Sequence, residues 1–238
     1  MVTALRGIEI QKYLQSLNRG WVDETDTVDT WKSGDPLVEV RGIAVAWMGY
    51  SHALEKAAEL GCNLFIVHEP VYYHHRDDDP DILAWPECKA RQMTIEKLGL
   101  SILRCHDLWD QFPGLGIPDA WGQKLGLGQP LAGEGYLQLI GPPERQVQRI
   151  VLGTGAATPY REMLIQYEAD LVICCDDGFK YWRDGAHAID NGHSVLIFHH
   201  PVTEEYGMQL LAEHLAERFP TIPVHFIPEK CMYQLVLP

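Results

Sequence analysis

Three apolar runs in this 238-residue chain stop on a histidine beside a carboxylate: IVHEP at residues 66–70, RCHDLWD at 104–110 and IFHHPVTEE at 197–205. Imidazole nitrogen and carboxylate oxygen together suit Zn, Fe, Mn or Ni, whereas thiolates favour softer ions. His106 and Asp110 stand four apart, as do His200 and Glu204. At a helix entrance that spacing puts both side chains on one face. A carboxylate can bridge two cations, so about four to six such ligands would hold a metal pair able to activate water and clamp developing charge. One histidine after a strand is ordinarily a hydrogen-bonded loop residue. Three such endings in one chain point instead to a shared cation.

The elements that would carry these residues follow from periodicity. Leu5, Ile8, Tyr13, Leu14 and Leu17 recur at helical spacing. Residues 20–37 are turn-rich and acidic. VEVRGIAVAWM reads as a strand, SHALEKAAELG as a helix with Ser51 as its N-cap and Gly61 as its stop, and NLFIV as a second strand ending at His68. Strand–helix–strand is a βαβ unit with parallel pairing, and ligands in open α/β sheets lie beyond the carboxyl ends of strands. The pattern repeats with the helix ECKARQMTIEKLG and the strand LSILRC, which delivers His106. Residues 111–135 are rich in Gly and Pro and read as a long connection. Beyond it, GYLQLI, QRIVL, DLVICC and SVLIF are strands, YREMLIQYEA and YWRDGAHAIDNG are helices, a long helix follows His200, and IPVHFIP and MYQLVLP close the chain as strands. The fold class expected is α/β, two α/β lobes with mixed sheets flanked by helices around a metal-binding cleft. Lobe one takes approximately 1–125 plus 205–238, and lobe two approximately 130–204.

Composition narrows the function. Hydrophobic residues make up 46% and charged residues 22%, a globular balance. No apolar run is long enough for a membrane helix, and MVTALRGIEIQKYLQSL lacks the apolar block of a signal peptide, so a cytoplasmic protein without a membrane partner is expected. A net charge of −14 with scattered basic residues argues against nucleic acid as a partner. The six cysteines include no C-x-x-C pair, which makes free buried thiols the expectation. The LGTGAAT turn lacks the P-loop lysine and the dinucleotide glycine spacing, and reads as a turn beside the cleft. Among the remaining histidines, His52 and His214 fall on helix surfaces and His225 in a strand. His187 and His193 flank a helix. His74 and His75 are solvated or lie behind the ligands, and His199 should point away from His200.

On these residues the chain resembles the Nif-three-like dinuclear-metal family, also known as GTP cyclohydrolase I type 2 homologues. EKAAELGCNLFIVHEPVYY is similar to the family stretch ending in His-His-Pro, CHDLWD to its His-Thr-x-x-Asp, VLGTGAAT to its Gly-rich turn, ADLVICCDD to its Thr-Gly-Asp strand, and HHPVTEEYGMQLLAEHL to its closing Gly-His-x-x-x-Glu. The resemblance implies metal ligands His68, Glu69, Asp110, His200 and Glu204, with His106 near the metals. It also implies two divalent ions per subunit and a toroidal homohexamer. Three positions depart from the pattern: Glu69 replaces the second histidine, Asp107 the threonine, and Cys175-Asp176 stands for Thr-Gly-Asp. Glu69 makes the ligand set more anionic, which favours Mn, Fe or Mg over softer ions, or empties one metal position.

Two functions follow. The first is a metal-dependent hydrolase, cyclohydrolase-like or phosphoesterase-like, acting on a small molecule such as a nucleotide or phosphoester, with Glu204 or Glu69 as catalytic proton acceptor. The second is a non-catalytic metal-binding or metal-handling oligomeric scaffold or regulator. An exchangeable coordination position separates the two.

Overall fold

The computed structural model describes residues 4–125, 138–229, 232 and 233. Two compact units divide them. Unit one runs to Gly116 and resumes over Gly207–Glu229, and unit two takes Ile117–Tyr206 with residues 232 and 233.

Unit one holds α1 (Gly7–Leu17), β1 (Trp31–Ser33), β2 (Ile43–Ala46), α2 (Ser51–Glu59), β3 (Leu64–Val67), α3 (Pro80–Leu83), α4 (Pro86–Leu98), β4 (Ser101–Arg104) and α5 (Asp107–Gln111). The sheet order is β1-β4-β3-β2-β9, with β9 at Val224–Phe226. β2, β3, β4 and β9 run parallel, and β1 lies antiparallel on the β4 edge. Every residue of IAVA and LFIV is buried. Such uniform apolar runs suit strands covered on both faces, where an alternating pattern would leave one side wet. The core sets Ala44, Phe65, Val67 and Ile102 against Ala53, Leu54 and Ala57 of α2 and against Cys88 and Ile95 of α4.

Local signals placed the helix ends well. Gly99 caps α4 in the left-handed conformation, and Gly61 has φ +77° just after α2. Ser51, read as a cap, is instead the first helical residue, and its predecessor Tyr50 makes no side-chain cap bond. The 20–37 stretch contains the short strand β1, because Trp31 and Ser33 pair with Leu103 and Ile102 of β4. That partnership carries no local periodicity.

Unit two holds α6 (Ile117–Leu125), β5 (Gln138–Ile140), β6 (Ile150–Leu152), α7 (Tyr160–Tyr167), β7 (Leu171–Cys175), α8 (Tyr181–Asp190) and β8 (Ser194–Phe198). Its order is β5-β8-β7-β6, with β6, β7 and β8 parallel and β5 antiparallel at the edge. Tyr160, Met163, Val172, Cys174, Val195 and Ile197 form its core. The expected long connection over 111–135 is corrected by α6, whose Trp121 is wholly buried against Ile173 and Phe198. The tryptophan anchor outweighs the Gly and Pro around it. The final helix, α9 (His200–Arg218), starts in unit two and continues in unit one. The expected strand MYQLVLP lies outside the described residues apart from Met232 and Tyr233. Among the described residues, no helix is long and apolar enough to cross a membrane.

Candidate metal-binding residues

In unit one, β3 ends at Val67 and β4 at Arg104, neighbours in the sheet, so both strands release their next residues on the same edge. His68 is completely buried. Its ring stacks on His106 with centroids 4.4 Å apart, and its Nε2 lies 3.4 Å from Asp110 Oδ1. His68 Nδ1 lies 3.3 Å from the Cys105 carbonyl. A carbonyl can only accept, so this contact favours the tautomer with Nε2 available as a ligand. Asp110 Oδ2 lies 3.4 Å from His106 Nδ1. Ligand atoms of His68, Glu69 and His106 all fall within 4.8 Å of one another, so side-chain shifts of a few tenths of an ångström or more would bring them onto one cation with bonds of about 2.0–2.2 Å. The donor set therefore fits a first-row divalent ion.

Two side chains that sequence reasoning missed hold this edge in place. Asp29 accepts from three consecutive backbone N–H groups, those of His106 at 2.5 Å, Asp107 at 3.0 Å and Leu108 at 2.8 Å. The carboxylate thus caps α5 from 77 residues away, and so sets where His106 and Asp110 point. Burial pushes the Asp29 carboxyl up, against the pull of these three donors. Arg104, 1% exposed, donates Nε to the His68 carbonyl at 2.7 Å and a second nitrogen to the His75 carbonyl, while Nη2 lies 3.7 Å from Glu69 Oε2. A charge count over the ligands alone leaves this cation out. With Arg104 beside Glu69, the extra negative charge that Glu69 brings has a buried counter-charge, so less of it would bear on a bound ion.

Asp107 is anchored and partly buried. It accepts from Thr27 Oγ1 at 2.7 Å and from the Val28 amide at 3.0 Å, and lies 2.9 Å from His106 Nδ1. Burial would raise its carboxyl, but these bonds outweigh burial and hold it far below the ordinary carboxylate range. Burial likewise lowers His106, and the Asp107 bond with the Asp110 charge overcomes it, leaving the imidazole raised.

In unit two, His200 opens α9 and Glu204 follows one turn later. Their Nε2 and Oε1 lie 2.8 Å apart, and Glu204 is 3% exposed. The His200 amide donates to Asp176 Oδ1 at 3.0 Å, which ties the helix start to the end of β7. Thr154 Oγ1 donates to Glu204 Oε1 at 2.9 Å. The glycine-rich turn therefore takes part in holding the pair. Gly155 has φ +63°, and a Cβ there would stand 3.2 Å from Glu204 Oε1 and 3.6 Å from His200 Nε2. Gly155→Ala is accordingly expected to cost about 1–2 kcal/mol, from left-handed strain in a residue with a Cβ. Urea denaturation measures it, and an unchanged midpoint would mean that the turn relaxes freely.

The other residues sort plainly. His214 is not a surface residue: it is part-buried, 2.7 Å from the Tyr13 hydroxyl. β8 ends at Phe198, so His199 no longer follows strand alternation, and it is buried against Tyr233. His187 and His193 both face Tyr160. The five described cysteines are free and buried, with burial pushing Cys62 up to about 11 and Cys175 up to about 12. None is a thiolate near neutral pH.

Two α/β units have parallel strands that run out onto histidine and carboxylate, and these groups are candidate cation ligands. The family model described as Duf34/NIF3 (NGG1p interacting factor 3) matches residues 129–231. A GTP cyclohydrolase 1 type 2 homolog of Neisseria meningitidis is 23% identical over 202 residues, covering 73% of this chain and 78% of its own length. A hypothetical protein of Staphylococcus aureus superposes with TM-score 0.77 at 14% identity, covering 98% of this chain and 99% of that one. A Bacillus cereus protein related to NIF3 gives TM-score 0.72 at 13% identity, covering 98% and 99%. The family model and the curated relatives support the resemblance read from the motifs, and the solved structures share the α/β fold.

Proposed function

We propose that this chain binds two divalent metal ions through His68, Glu69 and Asp110 of unit one and through His200 and Glu204 of unit two, and hydrolyses a small molecule such as a nucleotide or phosphoester. The observation that carries the reading is the convergence of His68 and Glu69 ligand atoms with those of neighbouring His106 within 4.8 Å at a strand-end edge, with Asp110 Oδ1 3.4 Å from His68 Nε2. The Glu204–His200 pair at 2.8 Å adds a second ligand pair. Bound ions would supply Lewis acidity and a water activated near neutral pH. The chain's own residues orient and move protons. Cys105 fixes the His68 tautomer, Thr154 positions Glu204 Oε1, and that oxygen or a Glu69 oxygen accepts the proton of the attacking water. The family resemblance supports homohexameric assembly, which sedimentation velocity measures directly.

Elemental analysis of purified protein tests the central claim. Near two equivalents of a first-row metal are expected in the wild type, with loss in Asp110→Ala and His200→Ala while circular dichroism stays unchanged. About one equivalent, rising in Glu69→His, would mean that Glu69 removes one position. No metal in any of them would overturn the proposal and leave the oligomeric scaffold. With metal present, turnover surviving both alanine changes would overturn the hydrolytic role and leave metal handling.

A further inference from the structure

Unit two buries a phenol between two imidazoles that the metal reading does not use. Tyr160, in the first turn of α7, is wholly buried. Its hydroxyl lies 2.7 Å from His193 Nδ1 and 3.3 Å from His187 Nδ1. His187 stands in the last turn of α8, and His193 in the turn that leads into β8. Their ring centroids are 5.4 Å apart. Neither ring has another hydrogen-bond partner among the described residues.

Proton accounting fixes the arrangement. A phenol has one hydrogen to donate, and a neutral imidazole has one N–H and one bare nitrogen. Both bonds form only when one Nδ1 is bare and takes the hydroxyl hydrogen, while the other carries a hydrogen and donates to the phenol oxygen. The two imidazoles therefore hold opposite tautomers. The 2.7 Å contact suits a hydroxyl donor, which makes His193 the acceptor and His187 the donor. One proton can join the pair, since a charged ring still donates from Nδ1 while the other ring accepts. A second proton fills the accepting Nδ1. Both rings then aim an N–H at one oxygen, the hydroxyl hydrogen loses its acceptor, and two like charges stand 5.4 Å apart between ring centroids.

The surroundings favour a neutral His193. Burial, the neighbouring His187 and Arg145 all lower its imidazole. Arg145 comes from the segment before β6 and donates to the Gly192 carbonyl. Tyr160 faces Asp184 of α8, Cys174 of β7 and Arg161 of its own helix. Asp184 already accepts from the Lys180 amide at 2.7 Å and from Arg183 Nε at 3.1 Å. Burial, helped by Asp184 and Cys174 and opposed by Arg161, pushes the phenol up to about 12, so it stays protonated and able to donate. The start of α7 is tied down on its other side too, where the Tyr160 amide donates to the Gly178 carbonyl at 3.0 Å.

We propose that the Tyr160 hydroxyl, shared by His187 and His193, is a pH-operated latch between α7 and α8, closed near neutral pH and opened when both imidazoles carry a proton. The sign follows from linkage. His193 is lowered in the fold, so its contribution to stability is present above about pH 6.5 and is lost as pH falls through the lowered native value. Opening slackens the first turn of α7 and the glycine-rich turn before it, whose Thr154 holds Glu204 Oε1. The latch needs no metal, so it is tested apart from the hydrolase reading.

Two measurements on the full-length protein test it. Long-range proton–nitrogen correlation spectra at about pH 7.5 read the tautomers, with signals assigned from His187→Gln and His193→Gln. Opposite tautomers are expected, His187 protonated at Nδ1 and His193 at Nε2. The same tautomer in both rings would overturn the proposal. Urea denaturation reads the latch itself. Tyr160→Phe is expected to lower the midpoint by about 0.5 M at about pH 7.5, for two lost hydrogen bonds, and to leave it unchanged at about pH 5. A deficit constant across that range would mean that the hydroxyl serves packing alone. His193→Gln should flatten the fall in midpoint that the wild type shows between the two pH values, and an equal fall in both proteins would also overturn the latch.

Discussion

Arg104→Met is expected to destabilise the protein by about 3–5 kcal/mol, the cost of removing one partner from a buried ion pair. The guanidinium is 1% exposed, and its loss leaves Glu69, at 13% side-chain exposure, without the cation 3.7 Å away. The carbonyls of His68 and His75 lose their donors as well. Burial lowers the guanidinium's pKa, and the Glu69 charge, first among those that oppose this, offsets only part of it. Methionine keeps most of the volume and isolates the charge effect. The double variant Arg104→Met/Glu69→Gln should recover at least about 1 kcal/mol of the loss, as residues in contact are not additive. Urea denaturation of the four proteins supplies the cycle. Strict additivity would show that Glu69 and Arg104 act independently, and would return the full anionic charge of Glu69 to the metal ligands.

The second large effect belongs to Asp29→Ala. Three backbone N–H groups at the start of α5 lose their acceptor together, and leaving a buried donor unsatisfied costs about 1–3 kcal/mol. His106 is partly open to water, which discounts the sum, so about 3 kcal/mol is expected. Asp29→Asn should cost less. Its oxygen still accepts from His106 and Asp107, but its amide faces the Leu108 N–H, and one bond is lost. Because the cap aims His106 and Asp110, metal affinity should fall about 10–100-fold in Asp29→Ala, the usual cost of losing a supporting bond behind a ligand. Metal titration with a chromophoric chelator measures this, and unchanged affinity would mean that α5 keeps its position without the cap.

The residues best suited to chemistry are legible in the order of amino acids alone. His68, His106 and His200 follow apolar runs that can only be buried strands, and the helix stops at Gly61 and Gly99 follow from the left-handed backbone that glycine tolerates. Periodicity over four to ten residues is a local property, so α2, α4, β3, β4 and β8 can be read from it. What supports those residues cannot. Asp29 meets His106 across 77 positions, Arg104 meets the His68 carbonyl across 36, and Thr154 meets Glu204 across 50. Nothing in an aspartate among turn residues, or in an arginine closing a strand, announces such a partner. α6 escapes a local reading because one buried tryptophan outweighs the Gly and Pro around it, and β1 because its stability comes from the β4 edge. Residue order set which groups reach the sheet edges. Only the folded chain decided which carboxylates cap, which pair and which remain to meet a cation, because those choices depend on burial and on partners that the sequence keeps far apart.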